Sequence, residues 1–221
     1  MNNIAVIPAR GGSKRLHHKN ILLLGGIPLI AHSIIEAQKN RGIISKVYVS
    51  TDDARIGGIA EAFGAEVIMR PADLAGDFEP TVSSIKHVLE NIDGSVDNVF
   101  LLQPTNPLRP RNLIADAYKL FCENDADSLM TVSRNHQKFG KIIDNKFIPF
   151  NYEIGQRSQD LEPLFFENGL LYITKASLIM DNQIIGNGHY PMVVEHVFAG
   201  VDIDNAEDFA YAEYLFLNNK E

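Results

Sequence analysis

Four basic residues and two adjacent glycines stand in one loop, directly after the first apolar run of the chain at residues 4–7. The basic residues are Arg10, Lys14, Arg15 and Lys19, and the glycines, Gly11 and Gly12, are followed by Ser13. Glycine lets the backbone approach a ligand closely, since it has no Cβ. Consecutive backbone N–H groups and several cations suit a polyanion such as a triphosphate. We therefore predict a phosphate-binding loop, the alternative being a solvated basic turn.

The charge of this loop contrasts with that of the whole chain. The 221 residues carry a formal net charge of −8 at pH 7. This argues against a nucleic-acid-binding protein, because that class is normally basic. A basic loop in an acidic background instead attracts a small anionic molecule. The loop matches neither the phosphate motif G-x-x-x-x-G-K-[ST] nor the dinucleotide motif G-x-G-x-x-G, so these motifs do not define the nucleotide.

A pair of carboxylates lies far along the chain, in Val201-Asp202-Ile203-Asp204. We predict a strand over residues 196–203, and the two-residue period of a strand would place Asp202 and Asp204 on one face. Mg²⁺ binds one or two protein carboxylates together with phosphate oxygens and water. Close to a triphosphate, this pair would therefore be a magnesium site. The alternative is that Asp204 or Asn205 only caps the last helix.

Apolar runs and helical periodicities alternate along most of the chain. The predicted strands cover residues 4–7, 46–50, 66–69, 98–102, 128–132 and 170–173, and the helices between them include residues 112–123. This alternation predicts an α/β fold with a mainly parallel, doubly wound, Rossmann-like sheet. Ligands bind such sheets at the carboxyl ends of the strands. The basic loop, residues 51–53, Arg70 and residues 103–109 all follow strands, so we expect them to share one edge.

Residues from about 134 to 163 interrupt the alternation. This segment has short strand-like pieces and no long helical period, yet it is rich in apolar side chains, namely Phe139, Phe147, Ile148, Phe150 and Tyr152. Large exposed apolar patches usually mark interfaces, and a two-fold dimer is the commonest assembly. We predict that the segment is a small projecting dimerisation arm, inserted into a single domain that covers residues 1–221.

The chain contains one cysteine, Cys122, so no intramolecular disulfide can form. We expect Cys122 to be a buried thiol on a helix. No apolar run is long enough to cross a bilayer, so we expect no membrane partner. Together these observations predict a reducing compartment, most simply the cytoplasm.

Seven sequence blocks occur in the order in which one enzyme family has them. They are Ile-Pro-Ala-Arg-Gly-Gly-Ser-Lys-Arg…Lys-Asn, Val-Ser-Thr-Asp, Arg-Pro…Leu-Ala…Asp, Leu-Leu-Gln-Pro-Thr…Pro-Leu-Arg, Arg-x-Gln-Asp-Leu, Asn-Gly…Tyr-Ile and Asp-Ile-Asp. With these blocks the chain resembles the acylneuraminate cytidylyltransferases, or CMP-sialic acid synthetases, from residue 4 to about residue 209. The resemblance implies a fold of nucleotidyltransferase type and a homodimer. It also implies Mg²⁺-dependent transfer of CMP from CTP to a nonulosonic acid, with release of pyrophosphate.

The resemblance further implies roles for individual residues. Those similar to the family's CTP-binding residues are Arg10, Gly11, Gly12, Ser13, Lys14, Lys19, Asn20, Arg70 and Thr81. Those near family positions for the sugar acid are Gln103, Lys138, Arg157 and Tyr172, and those similar to the metal pair are Asp202 and Asp204. Among them, Arg10, Lys19 and Asp204 are expected to be catalytic, since Arg10 and Lys19 would hold the leaving pyrophosphate and Asp204 the metal.

One departure from the family pattern bears on the substrate. Phe166 stands two residues before Asn168, where some sialic acid enzymes carry an arginine. A legionaminic, pseudaminic or Kdo-type acid therefore remains an alternative, and Lys138 and Arg157 could act within one chain or across a dimer. A non-catalytic nucleotide-binding regulatory protein is a further alternative, against which the intact basic and acidic residues argue.

Overall fold

The computed structural model describes residues 1–219, which form a central sheet covered by helices on both faces. The strands are β1 (Asn3–Pro8), β2 (Leu23–Leu24), β3 (Ile27–Pro28), β4 (Lys46–Thr51), β5 (Glu66–Met69), β6 (Asn98–Leu101), β7 (Ser128–Asn135), β8 (Gly140–Ile143), β9 (Lys146–Pro149), β10 (Leu164–Lys175) and β11 (His189–Val193). The α-helices are α1 (Leu29–Lys39), α2 (Ala54–Ala62), α3 (Thr81–Glu90), α4 (Leu113–Glu123), α5 (Ala176–Met180) and α6 (Ala206–Asn218). Short 3-10 helices cover Lys19–Ile21, Ala72–Ala75, Ser158–Asp160 and Val197–Gly200.

The central sheet has seven strands in the order β11-β7-β10-β6-β1-β4-β5. Strand β10 runs antiparallel to both of its neighbours, and the other four pairings are parallel. The mainly parallel, doubly wound sheet predicted from the sequence is thus confirmed. From β1 the chain proceeds to β4 and β5 on one side, and from β6 it proceeds to the other side. The carboxyl ends of β1 and β6 therefore form the switch point at which such sheets bind ligands.

Side chains of β1 alternate between the two faces of the sheet, as the period of a strand requires. Ala5 and Ile7 belong to a core that includes apolar residues of α1, α2 and α4, whereas Ile4 and Val6 belong to a core with α3 and α5. Both faces of β1 are therefore buried, which explains why its sequence is a continuous apolar run.

A third apolar cluster attaches the C-terminal helix to the domain. Leu215 and Ala212 of α6 pack with Leu24 of the small β2–β3 hairpin and with Val201 and Ile203. Asn205 caps α6, because its side chain accepts a hydrogen bond from the N–H of Asp208 while the Asp208 carboxylate accepts one from the N–H of Asn205. This capping box fixes the start of the helix directly after the aspartate pair.

The inserted segment forms a separate two-stranded antiparallel hairpin, β8–β9. Its exposed apolar side chains are Phe139, Ile142, Ile143, Phe147, Ile148, Phe150 and Ile154. The strand-like pieces expected from the sequence are present, while the dimerising role of the arm stays a prediction. Among residues 1–219 no helix is both long and apolar enough to cross a membrane.

Two expectations about the C-terminal third and the cysteine are wrong. Residues 196–203 form no strand; a 3-10 helix covers Val197–Gly200, and the edge strand is β11 instead. Pro191 lies within β11, and proline lacks the N–H that an inner strand needs, so its place at the sheet edge follows. Cys122 is exposed, because it lies on the outer face of α4 while Phe121 points into the core.

Candidate functional site

A cleft of about 480 Å³ opens at the carboxyl ends of β1, β5 and β6. Of the residues singled out in the sequence, the cleft is lined by Arg10, Ser13, Lys14, Lys19, Asn20, Arg70, Thr81, Gln103 and Asp204. Residues far apart in the chain are thus gathered at the switch point of the sheet, as the strand order requires.

The backbone of the basic loop is held from two sides. The amide of Asn20 donates to the carbonyl of Arg10 at 2.9 Å, and the N–H of Gly11 donates to the carboxylate of Asp52 at 2.9 Å. A Cβ on Gly11 would lie 2.8 Å from the Cβ of Asp53, so this glycine makes room for the loop after β4. Space beside Gly12 is open. Of the two glycines, Gly11 is thus the one whose missing Cβ the packing requires, and neither glycine lines the cleft.

Two carboxylates pair with the four cations of the loop. Asp77 accepts hydrogen bonds from Arg10, at 2.9 Å, and from Lys14. Asp204 accepts from Arg15 at 2.7 Å and from Lys19 at 3.0 Å. The loop thus gathers four positive charges in one cleft wall, and both carboxylates that face them lie on other segments of the chain.

Lys19 is the most enclosed of these cations. Its side chain is only 12% exposed, and its ammonium also donates to the carbonyl of Ile203 at 2.7 Å. Lys19 therefore joins the basic loop to the aspartate segment, residues 201–204. The two groups of residues predicted from the sequence thus belong to one site.

Arg70 lies at the floor of the cleft, where β5 ends. The residue is 8% exposed, and its Nε has no hydrogen-bond partner within residues 1–219. Burial lowers the pKa of its guanidinium below the ordinary value, with Arg10 adding to the effect and Asp52 opposing it. A buried donor without a partner costs free energy, so this one is available to a ligand. Thr81, the first residue of α3, lines the same cleft.

Gln103 borders a second, smaller cavity of about 440 Å³. Tyr172, Glu167, Asn168 and Asp202 line this cavity as well. The hydroxyl of Tyr172 donates to the carboxylate of Glu167 at 3.0 Å. Burial, together with that carboxylate, raises the pKa of the Tyr172 phenol, so the hydroxyl remains a hydrogen-bond donor. The second cavity is thus polar and acidic, whereas the cleft beside it is basic.

A bulge in β10 shapes the second cavity. The pairing of β10 with β7 shifts between Glu167 and Tyr172, and Gly169 there has a φ of 73°. The side chain of Asn168 turns inward, donates to Ser133 at 3.0 Å and accepts from Thr131 at 2.6 Å. Bulges commonly occur next to active sites, where they redirect side chains. This one leaves Glu167 and Tyr172 on the cavity wall.

The aspartate segment is held by a turn and not by a strand. Asn106 donates to the carbonyl of Val201 at 2.7 Å, and the N–H of Ile203 donates to the carbonyl of Thr105 at 2.8 Å. The expectation that Asp202 and Asp204 share one strand face is therefore wrong. Instead Asp204 faces the basic cleft and Asp202 faces the acidic cavity.

The two aspartates nevertheless fit a magnesium ion. Burial raises the pKa of the Asp202 carboxyl, and the neighbouring charge of Asp204 raises it further, against a hydrogen bond from Thr105. A bound cation would favour the ionised form of the Asp202 carboxyl and so oppose both effects. Because Asn205 forms the helix cap, the Asp204 carboxylate is not needed for that role. Mg²⁺ commonly binds through one or two protein carboxylates, with substrate phosphates and water completing the shell.

Two of the sugar-binding residues suggested by the sequence lie outside both cavities. The ammonium of Lys138 donates to the carbonyl of Gln156 and lies 5.1 Å from the centre of the Tyr152 ring. Arg157 forms an ion pair with Asp160 at 2.7 Å. Both side chains are therefore held within the arm, and the structure does not bring them to Gln103.

Arg109 is a structural residue of the site that the sequence reasoning left unassigned. It is 7% exposed and donates to the carbonyls of Leu170 and Gln103, at 2.8 and 3.1 Å, and to the hydroxyl of Ser33 at 3.0 Å. Burial lowers the pKa of its guanidinium to about 10. Asp77 and Glu167 were also missed as site residues. Asp77 closes the Arg-Pro…Leu-Ala…Asp block but was given no role there, and Glu167 is a single acidic residue on β10 with no spacing signal of its own.

A basic cleft at the switch point of a doubly wound sheet is typical of a nucleotide-binding α/β enzyme. The sequence matches the cytidylyltransferase family over residues 4–219. The chain belongs to this family and is a nucleotidyltransferase.

Individual relatives agree with this assignment. The chain is 34% identical over 234 residues to CMP-N,N'-diacetyllegionaminic acid synthase of Legionella pneumophila, with 100% of this chain and 99% of that protein covered. It is 30% identical over 230 residues to pseudaminic acid cytidylyltransferase of Campylobacter jejuni, with 100% and 99% covered. The solved structure of CMP:2-keto-3-deoxy-manno-octonic acid synthetase complexed with CTP has the same fold, with a TM-score of 0.71 at 19% identity over 99% of both chains.

Proposed function

We propose that this enzyme activates a nonulosonic acid with CTP, giving the CMP-sugar and pyrophosphate. The observation that carries the proposal is the meeting of two unlike cavities at Gln103, one basic and one acidic and polar. The basic cleft suits a triphosphate, and the polar cavity suits the hydroxyl groups of a sugar. The names of the two curated relatives, which act on legionaminic and pseudaminic acids, support this substrate class.

The arrangement of the residues accounts for the reaction. The anomeric oxygen of the sugar forms a bond to the α-phosphorus, the bond from that phosphorus to the β-phosphate oxygen breaks, and the hydroxyl proton is released. Arg10, Lys14 and Lys19 neutralise the negative charge that develops on the leaving pyrophosphate. Gln103 borders both cavities and would orient the sugar toward the nucleotide. Such transfer depends on positioning and charge and needs no covalent intermediate on the protein.

Magnesium is part of this proposal. Asp204, which lines the basic cleft, and Asp202, which lines the acidic cavity, would hold the ion. When bound there, the ion would neutralise phosphate charge and lower the pKa of the attacking hydroxyl. Lys19, which contacts Asp204, keeps that carboxylate at the cleft wall.

We also propose that the enzyme works as a homodimer in the cytoplasm. The hairpin arm exposes a row of apolar side chains that a second copy would cover. The single cysteine leaves no intramolecular disulfide to form, which fits a reducing compartment.

Pyrophosphate release is the direct test of the reaction. The purified protein is mixed with CTP, Mg²⁺ and, in separate reactions, N-acetylneuraminic, legionaminic, pseudaminic and Kdo acids. We expect release with at least one nine-carbon acid and little with ATP, GTP or UTP in place of CTP. Release with Kdo alone would move the substrate to eight-carbon acids, and no release with any of the four acids would contradict the proposal.

A further inference from the structure

A third cavity adjoins the acidic cavity. The two share a wall of Phe166, Ala199 and Gly200. On the far side of this wall the lining includes Arg134 and Glu195. Arg134 lies on β7, where it pairs with Phe165 of β10, so the base of the arm presents a guanidinium beside the proposed sugar site.

Arg134 has an unsatisfied donor. Its Nε is buried and has no hydrogen-bond partner within the described part of the chain. By contrast, the buried Arg109 donates from all three of its nitrogens. The other arginine with a buried, partnerless Nε is Arg70, which lines the basic cleft. Buried polar groups in proteins nearly always have partners. Of the two exceptions among the arginines of residues 1–219, Arg70 lines the basic cleft and Arg134 lines the cavity that adjoins the acidic one.

The acidic cavity lacks the charge that a sugar acid requires. Glu167 and Asp202 line it, and no lysine or arginine among residues 1–219 does so. A carboxylate entering this cavity would be repelled unless a cation compensated it. Lys138 and Arg157, the cations suggested by the sequence, have partners within the arm of their own chain and do not reach the cavity of that chain. Lys19 is likewise occupied by Asp204 and the carbonyl of Ile203.

We infer that Arg134 binds the carboxylate of the sugar acid. The inference rests on the proposed function and assigns its acid-recognition residue. A planar guanidinium, here one whose Nε has no partner within residues 1–219, matches a carboxylate in a two-pronged geometry that lysine does not reproduce. Arg134 is thus a substrate-binding and specificity residue, which selects acids over neutral sugars.

The test compares a sugar acid with its methyl ester, which keeps the ring and loses the charge. Kinetics with the best acid from the pyrophosphate assay are measured for the wild type, Arg134→Lys and Arg134→Gln. We expect Arg134→Gln to raise the KM for the acid by about tenfold or more, with the KM for CTP unchanged. The ester should be used equally poorly by the wild type and Arg134→Gln, and Arg134→Lys should fall between them with the acid. Arg41→Ala, an exposed arginine in the loop before β4 at the opposite edge of the sheet, is the control.

The outcomes separate this inference from the function on which it rests. If the wild type turns over the acid and Arg134→Gln has the same KM for it, Arg134 does not bind the carboxylate. If Arg134→Gln impairs the acid and the ester equally, its role is in packing, and the inference is again wrong. If the wild type releases no pyrophosphate with any acid, the proposed function fails and this assignment fails with it. Melting temperatures of all variants show whether each is folded.

Discussion

The carboxylate of Asp77 accepts a hydrogen bond from the guanidinium of Arg10 at 2.9 Å, across the mouth of the basic cleft. The same carboxylate pairs with Lys14, and these partners hold the pKa of Asp77 below its ordinary value. Asp77 therefore stays ionised at neutral pH and lies where a phosphate group would be expected. Its loop, residues 71–80, forms one wall of the cleft. We therefore expect CTP to displace this carboxylate from Arg10 and Lys14 when it binds.

Asp77→Asn should bind CTP more tightly than the wild type does. Removing the competing charge should lower the Kd by about two- to fivefold, the effect expected of exposed ion pairs. Calorimetry at low and high salt tests this, since screening should reduce the difference at high salt. Glu79→Gln is the matched control, because Glu79 lines the same cleft wall and forms no ion pair within residues 1–219. Equal tightening in both variants would show that only general charge matters.

Arg10→Ala and Lys19→Ala should both weaken CTP binding. Loss of one charge-assisted contact costs ~1.5–3 kcal/mol, which is roughly tenfold or more in Kd. The two variants should differ in stability, because the side chain of Lys19 joins the loop to Asp204 and Ile203, whereas the side chain of Arg10 pairs with the exposed Asp77. Calorimetry with CTP and thermal melts measure the two effects separately. Unchanged CTP affinity and turnover in both variants would overturn the phosphate-loop assignment.

The fold and half of the site could be predicted because their signals are local. The apolar run of β1 and the basic loop after it are contiguous in sequence, and the alternation of elements places Arg70 and Gln103 at the same edge. The surroundings of Asp202 could not be predicted in this way. Its backbone is held by Thr105 and Asn106, a turn almost one hundred residues earlier, so a local two-residue period gave the wrong geometry.

The same limit explains the other errors. Strand β11 has alternating burial, but it contains Pro191. Because a proline in a sequence argues against a strand, the pattern did not predict this edge strand. Asp77 and Arg10 are 67 residues apart, and the sequence around neither residue predicts that they pair. Long-range contacts of single polar side chains thus require the structure, while periodic apolar patterns do not.

Asp202→Asn should change the pH dependence of stability. Burial and the charge of Asp204 raise the pKa of Asp202 above 3.8, so the folded protein holds this proton more tightly than the unfolded chain. The stabilisation that protonated Asp202 provides is complete when the pH is below the pKa of this group in the unfolded chain. It is lost as the pH rises through the pKa of the group in the folded protein. The asparagine side chain at position 202 is uncharged at every pH. As the pH rises between these two pKa values, the melting temperature of the variant should therefore rise relative to that of the wild type.

Melting curves of the metal-free protein at several pH values test this, with Asp116→Asn, an exposed carboxylate on α4, as the control. At neutral pH Asp202→Asn should be more stable than the wild type yet lose most of its Mg²⁺-dependent turnover. A variant that is less stable at every pH would contradict the raised pKa of Asp202, and one that keeps full activity at limiting Mg²⁺ would contradict the metal assignment.

The apolar arm should hold two chains together. Ile142 is 79% exposed on the β8–β9 hairpin, and burying such side chains is the usual purpose of an exposed apolar patch. Light scattering at micromolar concentration should give about twice the chain mass of 24.6 kDa. Ile142→Asp should shift the protein toward the monomer. Leu23→Asp, at a position that is 59% exposed on the β2–β3 hairpin, should not. A wild-type protein of monomeric mass would remove the basis for an intersubunit site.

Arg157 should act on the neighbouring subunit's site if the arm reaches across the dimer. Its ion pair with Asp160 keeps it in the arm, away from the cavity beside Gln103 of its own chain. Arg157→Ala and Asp204→Asn chains, each inactive alone, are mixed and allowed to exchange subunits. Mixed dimers contain one site with both native residues only when Arg157 is supplied in trans, so part of the activity should return. Proven exchange without any rescue would show that Arg157 does not act across the interface.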